Sequence, residues 1–395
     1  MTQDQEPNGL RSGALVGVLT ASTLPIMSGA VIVPALNELR AAFQIDSVAA
    51  GALVTAHTIF IALASPVAGI LIDRVGAKRP LVWGLIGFGV FGGLGALAPN
   101  IWWLLLSRVP FGLATGFIFT AITVVILQTT TGERRNTIMG WRAAANQFGG
   151  IVYPTLGGFA AVAAWQGAFL VYLAALPVAV AVGFALPADE PGGRPPGGVL
   201  KLIRSDRRIL RLYLAAFSAY VALYIVVIFV PQLLENAGLG SAATVGLFLS
   251  GMNLAAFGVA SNYGRMRRHV GVRTLLWVAG VLYIGSAGVL VLTDEPGAIV
   301  AAMLLFGSAH GIVVPAVTVS VGNCAPPPMR GRVTSGLGVT NYLGQFSSPY
   351  IAAPFVAVVG VLGAFFVLGF AGAVVAISGA KAAQQSSEAE PEGTQ

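Results

Sequence analysis

A chain of 395 residues that is 56% hydrophobic and only 9% charged is not a soluble globular protein, in which roughly a quarter of the residues carry charge. Mean hydropathy is +0.82, so the sequence reads as a polytopic membrane protein. The formal charge of +7 does not point to nucleic acid, because the bases are dispersed over short segments between apolar runs, and the single Cys324 excludes both an intramolecular disulfide and a cysteine metal cluster.

Residues 1–11 are polar and expected to be disordered. Twelve apolar runs follow, each able to cross about 30 Å of hydrocarbon as a helix of about 20 residues. We number them spans 1 to 12. Spans 1–6 are expected near 13–35, 47–72, 81–98, 102–127, 137–162 and 165–186, and spans 7–12 near 209–233, 241–263, 274–293, 298–323, 332–355 and 358–380. The first run is too long for a secretory signal and has no clear cleavage site, so no cleavable leader is expected. The segment 187–208 holds Pro191, Gly192, Gly193, Pro195, Pro196, Gly197 and Gly198, which is linker composition. It divides the chain into an N-terminal six-helix half (1–186) and a C-terminal six-helix half (209–380), with 187–208 as a cytoplasmic linker. The tail 381–395, with Glu388, Glu390 and Glu392, is expected to be disordered and acidic.

Charge sets the orientation. With both termini inside, almost every base between spans falls on the cytoplasmic side: Arg74, Lys78 and Arg79; Arg134 and Arg135; Arg204, Arg207, Arg208 and Arg211; Arg265, Arg267, Arg268 and Arg273; Arg330 and Arg332. Only Arg40 falls in an outside loop, and the outside loops carry acids such as Glu38, Asp46, Glu235, Asp294 and Glu295. This asymmetry predicts a multi-pass protein of the cell (inner) membrane with both termini cytoplasmic. Trp102 and Trp103 then sit at the outer interface, where aromatic belts form.

The halves are repeats offset by 195 residues. Gly69 aligns with Gly264, Gly76 with Gly271, Phe111-Gly112 with Phe306-Gly307 and Gly116 with Gly311. Arg135 aligns with Arg330, Asn146 with Asn341, Gly149 with Gly344 and Pro154 with Pro349. An even-span half duplicated in this way gives parallel repeats related by an axis along the membrane normal.

The loop between spans 2 and 3 holds Gly69, Asp73, Arg74, Gly76, Lys78 and Arg79, one acid and three bases between two membrane-length runs. Gly69 and Gly76 supply backbone conformations and close packing that a side chain would block. The spacing G-x3-D-R-x-G-x-K-R resembles the signature loop between helices 2 and 3 of the major facilitator superfamily. Arg108 followed by Gly112 and Gly116 resembles that family's helix-4 pattern. Gly149, Pro154, Gly157 and Gly158 resemble its helix-5 pattern G-x3-G-P-x2-G-G, associated with drug-exporting antiporters, with Tyr153 in place of the central glycine. The second copy of the loop, from Gly264 to Arg273, has Arg268 where Asp73 would be. The resemblance covers nearly the whole chain. It implies an all-α membrane protein of twelve transmembrane helices in two six-helix pseudo-symmetric halves, with helices 1, 4, 7 and 10 lining a cavity and 3, 6, 9 and 12 standing outside.

The polar side chains are unevenly spread. Spans 3 and 12 carry almost none, and spans 6 and 9 carry little beyond Tyr172, Tyr283 and Ser286, so these four are expected to face lipid. No Asp or Glu lies inside any span so drawn; the ionisable set is Arg108, Arg142, His57 and His310. Arg108 is read either as a charge in a water-accessible interior, which the cost of burying a charge favours, or as a structural arginine on backbone carbonyls. Arg142 is read equally as functional or as snorkelling to the inner surface. His310 precedes Gly311 and Pro315, where the helix can bend; His57 has less support. Tyr220 and Tyr224 share one face of span 7 and either stack on an aromatic substrate or hydrogen-bond across the bundle. Asn146, Asn341 and Tyr342 are read as interhelical hydrogen-bonding groups or binding residues.

No P-loop, no metal-ligand spacing and no acid for a hydrolytic triad appear, so no enzyme, no cofactor and no metal are expected. The leading reading is a secondary transporter working by alternating access as a proton-coupled exporter of drug-like or amphipathic molecules, monomeric, with a small-molecule substrate, protons and the lipid bilayer as its partners. An organic-anion transporter using Arg108 as counter-charge is the alternative. A transporter fold serving as a sensor or scaffold would show a large extra domain.

Overall fold

The computed structural model describes residues 12–130, 132–186, 206–325 and 330–388. Spans 1–3 are Ser12–Ala30, Ser47–Val75 and Lys78–Gly93; spans 4 and 5 are Ile101–Thr129 and Gly132–Ala160. Span 6 is built from Gln166–Leu170, a 3₁₀ turn Val171–Ala174 and Ala175–Ala185. Spans 7–12 are Arg207–Asn236, Ala242–His269, Val272–Leu292, Pro296–Cys324, Arg330–Val359 and Leu362–Glu388. Ten of these are long and apolar enough to cross a membrane. The other two, spans 5 and 11, are 29 and 30 residues long. Among the described residues there is no strand.

Local chemistry explains the ends. Asn100 accepts from the Trp103 amide at 2.9 Å and caps span 4; Asp46 accepts from Ala49 at 2.7 Å ahead of span 2. Asp206 caps span 7 from the Arg208 amide at 2.8 Å and pairs with its guanidinium at 2.9 Å. Burial alone would raise the Asp206 carboxyl, but these Arg208 hydrogen bonds outweigh it and hold the carboxyl below its usual value. Gly76 closes span 2 in the left-handed region (φ 82°), its amide on Ile72 O at 2.9 Å, a conformation that only glycine takes cheaply. Gly69, in contrast, has no neighbour within 4 Å of an added Cβ and no positive φ, so the close packing expected there is absent.

Two other expectations change. Span 1 does not stop at its apolar run. A 3₁₀ turn (Val33–Ala35) leads into a short helix, Leu36–Phe43, which carries Glu38 half-buried on the helical continuation instead of in a loop. Span 12 runs on to Glu388, through part of the tail expected to be disordered, because Ala382, Ala383, Gln384 and Gln385 are good helix formers. Residues 187–205, which hold the Pro/Gly-rich stretch of the linker, lie outside the described residues, as do 1–11 and 389–395.

The chain forms two compact units. The first is Met1–Gln44, Leu53–Pro195 and Ser241–Gly246; the second is Ile45–Ala52, Pro196–Gly240 and Leu247–Gln395. In the first, span 1 packs on spans 4, 5 and 6, and span 3 on spans 4 and 6. In the second, span 7 packs on spans 10, 11 and 12, and span 9 on spans 10 and 12, which is the same scheme. The outer sides of spans 3, 6, 9 and 12 expose apolar side chains such as Trp83, Phe184, Val281 and Phe370, as contact with lipid requires.

The repeat extends to individual atoms. A Cβ on Gly112 would lie 2.3 Å from His57 O, and one on Gly307 would lie 2.2 Å from Met252 O, each pair offset by 195. Gly116 meets Ile61 O and Ala64 Cβ at 3.0 and 2.6 Å; Gly311 meets Ala256 O at 2.5 Å and Val259 Cβ at 3.0 Å, again at that offset. Phe88 packs on Phe111 with ring centroids 4.7 Å apart, and Tyr283 on Phe306 at 5.0 Å. Small residues let the backbones of spans 2 and 4, and of spans 8 and 10, approach this closely. Gly112→Ala and Gly307→Ala should each destabilise the protein by about 1–3 kcal/mol through overpacking against backbone. Gly140→Ala and Gly258→Ala, with nothing within 4 Å of the new methyl, should not. Thermal unfolding in detergent compares the four.

Candidate functional site

Each unit holds a buried cluster of polar and aromatic side chains. In the first, Arg108 of span 4 is fully buried. Its guanidinium lies 4.7 Å from the Phe111 ring centroid and 5.3 Å from that of Phe169. Nε and Nη2 donate to Ser107 Oγ at 3.4 and 3.3 Å, and the guanidinium also interacts with the Tyr172 hydroxyl. Arg108 is therefore not water-accessible here, which corrects the sequence expectation. Its charge is tolerated by the neighbouring Ser107 and Phe111 and by Phe169 and Tyr172 of span 6, which sequence distance hides.

His57 of span 2 belongs to the same cluster. It is fully buried, its ring 5.5 Å from that of Phe111, and its Nε2 is 2.9 Å from Ser28 Oγ. Ser28 spends its only hydroxyl proton on Pro25 O at 2.6 Å. Ser28 Oγ must then accept from His57 Nε2–H, and the ring also meets the Val54 backbone one turn earlier on its own helix. Tyr172 of span 6 closes the group by donating to Ser28 O at 2.7 Å, its ring 5.0 Å from Phe111.

The second unit builds a different group on the equivalent frame. His310 of span 10 is half-buried, with Nδ1 2.8 Å from the hydroxyl of Tyr283 of span 9. The Tyr220 ring meets it edge-on at 5.4 Å and the Phe306 ring lies parallel at 6.0 Å. Tyr283 itself is fully buried. Tyr172, Tyr283 and Ser286 were expected on lipid-facing spans, but all three are fully buried. Spans 6 and 9 present lipid with their apolar sides and turn these hydroxyls inward, because a hydroxyl needs a partner that hydrocarbon cannot supply.

Arg142 does not snorkel. It is only 8% exposed, and it donates to Thr123 Oγ1 at 2.8 Å and Phe119 O at 3.5 Å, tying span 5 to span 4. Asn146, Tyr220, Tyr224, Asn341 and Tyr342 are half-buried. Asn146 Oδ1 and Asn341 Oδ1, at equivalent places in the repeat, are both buried acceptors without a protein partner. In the loop between spans 2 and 3, Asp73 is half-buried, Arg74 and Arg79 are exposed, and Lys78 Nζ donates to Leu186 O at 2.5 Å at the end of span 6.

The span-5 pattern forms a seam against span 1. A Cβ on Gly157 would lie 2.0 Å from Val31 O, and one on Gly149 3.3 Å from Thr23 Cβ. Tyr153, between them on the same face, hydrogen-bonds Thr23 Oγ1. The substitution that departs from the family pattern thus adds an interhelical bond. The missed groups, Tyr153, Tyr172 and Tyr283, each had a signal: one interrupts a glycine pattern, and two are rare hydroxyls on apolar spans.

Two compact units of membrane-length helices with a shared internal frame define a membrane transporter fold. The chain belongs to the Major Facilitator Superfamily, whose profile matches residues 18–349. It is 27% identical over 316 residues to the multi-drug resistance efflux pump PmrA of Streptococcus pneumoniae, covering 76% of this chain and 77% of that protein. It is 26% identical over 363 residues to the multidrug efflux protein YfmO of Bacillus subtilis, covering 89% of each. Among solved structures, a bacterial homologue of the human lysosomal transporter Spinster shares the fold with a TM-score of 0.78 at 16% identity, over 98% of both chains. A D-xylose–proton symporter does so with 0.75 at 15% identity, over 92% of this chain and 95% of its own.

Tyr153→Phe should cost about 0.6 kcal/mol and at most about 1.7, the range of interhelical hydrogen bonds in membranes. Thr23→Val should add little more in the double variant, and a double-mutant cycle of unfolding free energies would show the coupling.

Proposed function

We propose that this transporter is a proton-coupled exporter of small amphipathic molecules, placed in the cell (inner) membrane as a monomer with both termini cytoplasmic. The observation that carries the reading is the seam of Gly149, Tyr153 and Gly157 on span 1, a close-packed face built by the antiporter-like pattern. The efflux names of its relatives support it. The distribution of bases supports the orientation.

In this reading each half has its own candidate substrate-contacting groups: Asn146 in the first, and Asn341, Tyr342, Tyr220, Tyr224 and His310 in the second. Each asparagine acceptor suits an N–H or O–H donor. The loop with Gly69, Asp73, Arg74, Gly76, Lys78 and Arg79 serves the conformational change, with Gly76 as its turn. The organic-anion alternative relied on Arg108 as an open counter-charge, and the burial of that side chain removes its support. The sensor or scaffold reading has no supporting observation among the described residues.

The test is transport in proteoliposomes under an imposed pH gradient, with ethidium as cationic dye and benzoate as carboxylate. Gradient-driven movement of ethidium against an opposite flow of protons is expected. Benzoate movement without ethidium movement would overturn the exporter reading. Arg108→Gln should lower the yield of folded protein while leaving ethidium binding in the folded fraction unchanged; loss of benzoate binding in well-folded Arg108→Gln would restore the anion alternative.

A further inference from the structure

We propose that His310 is the residue that takes up and releases the coupling proton, with Tyr283 as its positioning residue. The inference rests on the exporter reading and assigns the proton site within it. A proton-coupled protein needs a group that changes charge near neutrality and meets water, and membrane carboxylates commonly fill that role. Among the side chains within the spans, histidine is the type whose unperturbed pKa lies there.

The geometry around His310 suits a titrating ring. Nδ1 is held by Tyr283 at 2.8 Å, while among the described residues none hydrogen-bonds Nε2, and the residue keeps part of its surface uncovered. Tyr283 is fully buried, and His310 is the partner of its hydroxyl. The phenol oxygen accepts from Nδ1–H of the ring in both charge states. With Nδ1 carrying that hydrogen, neutral imidazole has its free lone pair on Nε2, and there the ring takes up a proton from water and gives it back while the Nδ1–H···Oη bond stays in place.

Phe306 lies parallel to the ring at 6.0 Å with an interplanar angle of 13°. Among the described residues, the titratable groups that face His310 are Tyr220 from span 7 and Tyr283 from span 9, with no acidic or basic side chain from spans 8, 11 or 12. No fixed charge there pins it in one state. The repeat equivalent is Thr115, whose hydroxyl is turned back onto Phe111 O at 2.8 Å, so the first half offers no matching group. His57 is a poorer candidate, because it is fully buried. A protonated His310 and a cationic substrate repel each other, so occupation by one favours release of the other, as antiport requires.

The experiment uses the full chain and the three histidines it contains. Imidazole NMR signals of histidine-labelled protein in detergent are followed with pH, and His310 is identified by its loss in His310→Asn. A signal that moves reversibly with pH, and whose midpoint shifts in Tyr283→Phe, is expected. A His310 signal unchanged across the range overturns the proposal. In proteoliposomes, His310→Asn should lower gradient-driven ethidium transport by about a hundredfold or more, a typical loss for a proton-transfer group. Ethidium counterflow without a gradient should fall by less than gradient-driven transport does. Gradient-driven transport by His310→Asn equal to that of the unmodified protein also overturns it. Should His310→Asn fail to fold, Tyr283→Phe identifies the signal and must shift the pH profile of transport; an unshifted profile counts against the proposal. Absence of ethidium transport in the unmodified protein in either mode would fail the exporter reading, and the NMR titration would still decide whether His310 binds the proton.

Discussion

The constraint on which the rest depends is that hydrocarbon offers no hydrogen-bond partner. It forces the backbone into helices, and it means that helices gain by close contact instead of by hiding apolar surface from water. Glycine makes the contact possible. At Gly112 and Gly116 on span 4, and at Gly307 and Gly311 on span 10, a neighbouring backbone carbonyl or Cβ comes so near that a methyl group would collide with it. These approaches bring spans 2 and 4, and spans 8 and 10, together in each half.

The same constraint places the polar side chains. Arg108 could not remain charged against lipid, and its guanidinium lies instead among Phe111, Phe169 and Ser107. Tyr172 and Tyr283 turn inward to Ser28 O and His310 Nδ1. Outward-facing surfaces of the same spans are left to residues such as Phe184 and Val281. One helix thus serves lipid on one side and a polar cluster on the other.

The duplication kept the frame and changed the chemistry. Phe111 and Phe306 occupy equivalent places against Phe88 and Tyr283. Arg108 in the first half is replaced by Met303 in the second, and Thr115 by His310. The first half carries a buried permanent cation and the second a half-open imidazole. Two halves with one packing scheme can therefore hold different duties in one transport cycle.

Much of the fold was legible in the sequence, for a physical reason. Span length, span number and the loop bases follow from bilayer thickness and charge, and the 195-residue offset appears as identical residues at equal intervals. Gly76 was legible as a turn because a left-handed residue favours glycine. The candidate site was less legible. That Arg108 is sealed, that Arg142 ties span 5 to Thr123, and that Tyr283 meets His310 are contacts between different helices. Helical periodicity says which residues share a face; only the packing of one helix on another decides whether that face meets lipid, water or a neighbour. The sequence by itself determined a duplicated bundle of membrane helices, and the tertiary structure decided which of its few polar side chains found each other.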